Sequence, residues 1–269
     1  MVIALITFLL ATVCGGVGAL LGMGGGVFLV PALTLFLHVP IKTAIGASVI
    51  SVIAASAMAG ALAAGTRMNH VRLALALEVT TTLGVLAGGL TAIYLSAQAL
   101  MAVFAVVALT MAAVLVRQPA QDVLPVQTGL LDTSFVDPRD DTTVTYGVRR
   151  LPTGLAAAFV SGNVSGLLGI GGGVIAVPVM NLIMGTPIKA AIATSNFMVG
   201  MTAAASAMIY YQAGFIHPDV AAPAALGVLL GARLSTVWGM RAPHGLLRRL
   251  LLAAMVAVAV QMLVKAWQS

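Results

Sequence analysis

Apolar residues run on along this chain with few charges to interrupt them. Ten apolar stretches can be marked, at about 2–21, 26–38, 41–64, 71–95, 98–116, 152–168, 173–185, 188–212, 218–238 and 246–266. Residues 1–41 carry no charge, nor do 43–66, 79–116, 151–188, 190–218 and 250–264. Uncharged apolar runs of roughly 18 residues or more read as bilayer-spanning helices. The pattern predicts an all-α polytopic membrane protein. One long polar stretch, Arg117–Arg150, separates the fifth apolar segment from the sixth. It cannot enter hydrocarbon, so it reads as a linker (117–151) between one transmembrane unit at 1–116 and another at 152–269. It is either unstructured or carries a short hairpin around Thr142–Tyr146.

The two units repeat each other. A shift of 147 residues lays Leu20–Ser48 on Leu167–Ser195 with 16 of 29 positions identical. The shared skeleton is Gly22-x-Gly24-Gly25-Gly26-Val27, Val30-Pro31, Pro40-Ile41-Lys42 and Ser48. Its second copy is Gly169-x-Gly171-Gly172-Gly173-Val174, Val177-Pro178, Pro187-Ile188-Lys189 and Ser195. Further on, Gly84-Val-Leu-Ala-Gly88 echoes Gly227-Val-Leu-Leu-Gly231. Duplicated halves are the usual architecture of secondary transporters.

Basic residues then set the topology. With the N-terminus outside and an odd number of crossings per half, eleven of the 13 Lys and Arg lie at the cytoplasmic side, and only Lys42 and Lys265 lie outside. That is the positive-inside bias. Odd crossings turn the second copy upside down. The expectation is two inverted repeats of about five hydrophobic segments each, with both termini outside and the linker cytoplasmic. Composition agrees: 61% of residues are hydrophobic and 7% charged, against about 45–50% and about 25% in soluble domains. Soluble enzymes, nucleic-acid binders and disulfide scaffolds are excluded, the last because Cys14 is the sole cysteine. The net charge of +6 is spread between apolar runs and forms no nucleic-acid patch. The partners expected are a lipid bilayer and a small anion. A homo-oligomer is compatible with the chain, whose stoichiometry the sequence does not specify.

The second segment of each half is too short to span. Val27–His38 is 12 residues, or about 18 Å of helix, against roughly 30 Å of hydrocarbon. The glycines before it disfavour continuous helix. Each half is therefore expected to hold a glycine-broken or re-entrant half-helix starting near Gly26 or Gly173. Such a helix points unpaired N–H groups and a positive dipole end inward, an anion-binding device without a charged side chain. The candidate substrate-binding residues are Gly24, Gly25, Gly26, Gly171, Gly172 and Gly173, with neutral hydroxyls and amides from Ser48, Ser195, Asn196, Asn163 and Ser165. Close helix packing by small residues is the competing reading. Lys42 and Lys189 are vestibule candidates, against simple snorkelling. Glu78 is the only acid well inside an apolar segment, Asp219 standing at the edge of its own, and so a coupling candidate. An interfacial ion pair with Arg72 competes with that role. His70 and His217 read as solvated or capping residues, and Tyr210 and Tyr211 as interfacial aromatics. Nothing fixes a metal or cofactor site.

The paired motif, Gly22-Met-Gly-Gly-Gly26…Pro31 and Gly169-Ile-Gly-Gly-Gly173…Pro178, resembles the sulfite exporter TauE/SafE family of membrane permeases. The polar central linker and the length agree, and the likeness covers essentially the whole chain. The resemblance implies a bacterial cytoplasmic-membrane transporter of sulfite, sulfonates or other sulfur-containing or organic anions. It does not supply the substrate or the direction. The reading is a secondary transporter working by alternating access. The alternative is an anion channel with the same dipole-lined constriction. An intramembrane enzyme is disfavoured, since Gly-x-Ser-x-Gly, His-Glu-x-x-His and paired intramembrane aspartates are absent.

Overall fold

The structure is a computed structural model describing residues 2–20, 24–63, 70–117, 130–136, 143–239, 255–256 and 259–267. Five helices precede the linker: α1 (Val2–Leu20), α2 (Gly26–Phe36), α3 (Ile41–Ala63), α4 (Val71–Tyr94) and α5 (Ala97–Arg117). After it come α6 (Leu151–Leu168), α7 (Gly173–Pro178), α8 (Ile188–Gln212) and α9 (Pro218–Gly239). α7 runs on into a π-helical turn, Val179–Ile183, beginning just after Pro178, which has no N–H to give to the ladder. Residues 259–267 are again helical. Six of the described helices (α1, α3, α4, α5, α6 and α8) are long and apolar enough to cross a membrane. The chain is a multi-pass helical membrane protein. Much of the tenth apolar segment, and with it Arg241, Arg248 and Arg249, lies outside the described residues, as do Arg67 and Gly22.

The main helix contacts come in matched kinds. α4 lies along α6 and α1 along α9, each pair running parallel. Gly84 and Gly88 on α4 sit so close to α6 that an added Cβ would overlap the carbonyls of Phe159 and Asn163, while Gly162 and Gly166 press back on the carbonyls of Thr81 and Val85. On the other pair, Gly227 and Gly231 meet the carbonyls of Phe8 and Thr12. Hydrocarbon supplies no hydrophobic drive between helices, so backbone-to-backbone approach through small residues does that job. α3 and α8 cross antiparallel: Gly46 lies against the Phe215 carbonyl just past the end of α8, and Ser56 lies against Gly200 and donates to the Asn196 carbonyl at 2.6 Å.

The central linker does carry a hairpin. β1 (Leu130–Val136) pairs antiparallel with β2 (Thr143–Val148), with Thr133 opposite Tyr146 and Phe135 opposite Val144. Register slips between Leu130 and Thr133, where Leu131 takes a positive φ of 61°. The hairpin is tied down at His70, the N-cap of α4. Its Nδ1 accepts from Leu73 N–H at 3.2 Å and its Nε2 reaches the Leu131 carbonyl at 2.8 Å. Tyr146 meets the ring edge-on, with centroids 5.9 Å apart, and burial there pushes its hydroxyl above the usual phenol range.

Candidate functional site

α1 ends at Leu20 and α6 at Leu168, and each glycine cluster then turns the chain into a half-helix. Gly24 and Gly25 have φ of 69° and 80°, and their counterparts Gly171 and Gly172 have 78° and 65°. Left-handed backbone costs an L-residue roughly 1–2 kcal/mol, so consecutive left-handed residues call for glycine. The Gly25 carbonyl accepts from Phe28 and Leu29 N–H at 3.2 and 3.1 Å, and the Gly172 carbonyl from Ile175 and Ala176 at 3.2 and 3.0 Å. Both half-helices therefore start in the same way, at Gly26 and Gly173. At 11 residues α2 is about 16 Å long, too short to span.

The two clusters are brought together. An added Cβ on Gly24 would lie 3.1 Å from Val199 and 3.2 Å from Val52, and one on Gly171 would lie 2.6 Å from Val52 and 2.9 Å from Val199. Val52 and Val199 are 147 residues apart, the repeat shift itself. Ser48, fully buried on α3, donates to the Gly169 carbonyl at 2.8 Å and braces the second cluster from the first half. Gly26 packs against the same hydroxyl. Val52 and Val199 are both buried. A crevice between Val27 and Val174, walled by Phe104, Ala108 and Met111 of α5, is apolar and too narrow to hold a water molecule.

Polar groups gather beside Gly172 instead. A Cβ there would have nothing nearer than Ser165 Oγ at 3.6 Å and Thr202 Oγ1 at 3.9 Å. Ser161 Oγ donates to the Gly172 carbonyl at 3.1 Å. Thr202 donates back to its own helix, to the carbonyls of Val199 and Met198. Ser165 is 1% exposed, and its hydroxyl has no hydrogen-bond partner among the described residues. Buried hydroxyls nearly always find one, so this is a donor in waiting. Of the three hydroxyls, Ser165 Oγ keeps its proton uncommitted among the described residues and can donate it to an anion's oxygen without a buried cation to neutralise.

Comparison with known proteins agrees with the motif. The model of the sulfite exporter TauE/SafE family matches residues 7–262. The chain belongs to the sulfite exporter TauE/SafE family. It is 27% identical over 242 residues to the probable membrane transporter protein YunE of Bacillus subtilis (strain 168), a match covering 86% of this chain and 88% of that protein. No solved structure matches.

The remaining candidates of this TauE/SafE chain take varied places. Asn163 is half-buried on α6, where its backbone faces Gly84 and Gly88. Ser195 is fully buried in α8, and neighbouring Asn196 offers its carbonyl to Ser56. Lys42 does not stand free in a vestibule: its Nζ donates to the Ile93 carbonyl at 2.7 Å, near the end of α4, and lies 5.3 Å from the Phe215 ring centroid. A cation on terminal carbonyls complements the helix dipole. Lys189, its counterpart, is half-buried at the start of α8. Two expectations need correcting. Glu78 makes no ion pair with Arg72, which is exposed. Six residues turn a helix by about 600°, so the two side chains leave on different faces. Tyr210 is no interfacial aromatic: it is 1% exposed and donates to the Gly166 carbonyl at 2.9 Å. Tyr211 beside it is 74% exposed. His217 is exposed, with its carbonyl capping α9. Sequence reading missed Ser161, Thr202 and the Val52–Val199 pair. A signal existed for Tyr210 and Thr202, since Ser195, Thr202, Ser206 and Tyr210 follow one helical face of α8.

Proposed function

We propose that this protein is a secondary transporter of a small sulfur-containing or organic anion, sulfite or a sulfonate foremost, in a bacterial cytoplasmic membrane. The observation that carries the reading is the unpartnered Ser165 hydroxyl beside Gly172, with Ser161 and Thr202 around it. A charge-free cradle at a helix start suits an anion that must also leave again. Family membership supports the transporter class, and the family's name supports the sulfur oxyanion. The halves act as inverted repeats in this reading. Supporting it are the antiparallel crossing of α3 and α8, the equivalent helices, and the parallel pairing of α1 with α9 and α4 with α6. The linker with its hairpin is cytoplasmic and the termini are outside, as the basic residues favour.

Alternating access fits the closed valine-lined centre better than a channel does, because a channel needs a continuous wet path. Thermal unfolding of the purified protein across sulfite, sulfate, thiosulfate, alkanesulfonates and carboxylates tests the assignment. True ligands raise stability by mass action. The expected result is stabilisation by sulfite or sulfonates, saturating with concentration. Stabilisation by carboxylates alone would reassign the substrate, and single-channel currents in planar bilayers would replace the carrier with a channel.

A further inference from the structure

Glu78 occupies an unusual place. It is the eighth residue of α4, about 10 Å along the helix from its start, and is 6% exposed. Oε1 accepts from Thr82 Oγ1 at 3.3 Å, while Oε2 is buried with no hydrogen-bond partner among the described residues. The helices packed on α4 are α6 and α8. α6 contains no titratable residue. α8 contains Lys189, Tyr210 and Tyr211, none at the level of Glu78. Thr194 of α8 meets the His70 N–H at the start of α4, which puts Lys189 beyond that end, and Ile209 meets Gly89, which puts both tyrosines toward the other. On α4's own side, Arg72 is exposed and His70 is committed to its cap and to Leu131. Among the described residues, the helices packed on α4 bring no charged side chain to the level of Glu78.

We propose that Glu78 is the proton-carrying site of this transporter, and that one proton crosses with each anion in the same direction. This rests on the anion-transporter reading above. A carboxylate with one oxygen bare in a low-dielectric interior is the costlier form, so the anion-loaded closed state holds Glu78 as the neutral acid. A second negative charge close to an ionised Glu78 would add repulsion that water no longer screens. The anion therefore enters the closed state only with Glu78 protonated. When the site opens to the far side, the anion leaves, the O–H proton passes to water, and the emptied transporter turns back with Glu78 ionised, so that one proton and one anion cross per cycle. Glu78 shares a face of α4 with Thr81, one turn on, and the Thr81 carbonyl presses on Gly162. Gly162 adjoins Ser161, whose hydroxyl holds the Gly172 carbonyl. The proton site and the hydroxyl cradle are thus joined through one helix contact.

Ethanesulfonate makes a clean probe, because it stays ionised and cannot carry the proton itself. Purified protein is reconstituted into vesicles enclosing a pH dye, and labelled ethanesulfonate is followed with and without a pH gradient. Wild type is expected to move protons in step with the anion, with accumulation rising about tenfold per unit of pH difference. Glu78→Gln is expected to keep exchanging labelled for unlabelled ethanesulfonate while losing both proton movement and accumulation driven by the gradient. Proton movement in Glu78→Gln equal to wild type overturns the proposal. Should that variant not fold, the wild-type ratio decides: one proton per anion supports the proposal and none overturns it. Wild-type vesicles that move no ethanesulfonate, in protein that gains no thermal stability from it, overturn the sulfonate reading underneath, and the proposal with it.

Discussion

The first and second glycine clusters follow the same backbone path into different company. At Gly25 the space where a side chain would go is filled by backbone, with Gly15 Cα 3.1 Å and the Cys14 carbonyl 3.4 Å from an added Cβ. At Gly172 the same space is bounded by two hydroxyls at 3.6 and 3.9 Å. Packing explains the contrast. Thr12 of α1 meets Gly231 as Asn163 of α6 meets Gly88, a shift of 151, so Cys14 stands where Ser165 stands in the other half. The path is dictated locally by glycine, while the chemistry comes from whichever helix lies alongside. One half is built as a dry brace and the other as a polar cradle.

The largest effect expected from breaking that contrast is at the glycines themselves. Both Gly25→Ala and Gly172→Ala carry the left-handed strain of roughly 1–2 kcal/mol. Only Gly25→Ala adds a tight backbone contact, 3.1 Å from Gly15 Cα, for about 1 kcal/mol or more of overpacking. Thermal unfolding should therefore show Gly25→Ala far less stable. Gly172→Ala should stay folded and lose uptake, because its methyl fills the space between Ser165 and Thr202. Equal stability losses, or wild-type uptake by Gly172→Ala, would erase the distinction.

A smaller change sharpens it. Ser165→Ala removes a hydroxyl that has no partner in the closed state, so stability should hold or rise slightly. A hydrogen bond to a charged group contributes about 1.5–3 kcal/mol, so the KM for the transported anion should rise roughly 10- to 100-fold. An unchanged KM would move the anion elsewhere. The smallest effect belongs to Ser48→Ala on the brace side. Losing its 2.8 Å bond to the Gly169 carbonyl should cost about 1 kcal/mol in unfolding measurements and leave anion affinity as it was.

Much of the architecture could be read from residue order. Long uncharged runs mark the helices because hydrocarbon tolerates little else, and the glycine clusters mark the half-helix starts at Gly26 and Gly173 because few other residues take those angles. Membership of the cradle was less legible. Ser165 adjoined the motif and could be named, but Ser161 and Thr202 look like any hydroxyl that bonds its own helix, and only three-dimensional packing sets them around Gly172. Lys42 shows a contact that counting could not supply. A repeated basic residue invited a role toward the anion, and in the first copy the fold uses it to cap the Ile93 carbonyl. Arg72 and Glu78 were close in number but not in angle, which counting along the chain does not register.

Val52 and Val199 deserve a final thought, since each of them touches both Gly24 and Gly171. Matching positions in two similar halves are ordinarily free to change separately, each tuning its own contacts. Here neither can, for enlarging one valine crowds its own neighbour and the other's together. The molecule keeps a shared keystone under both of its glycine turns.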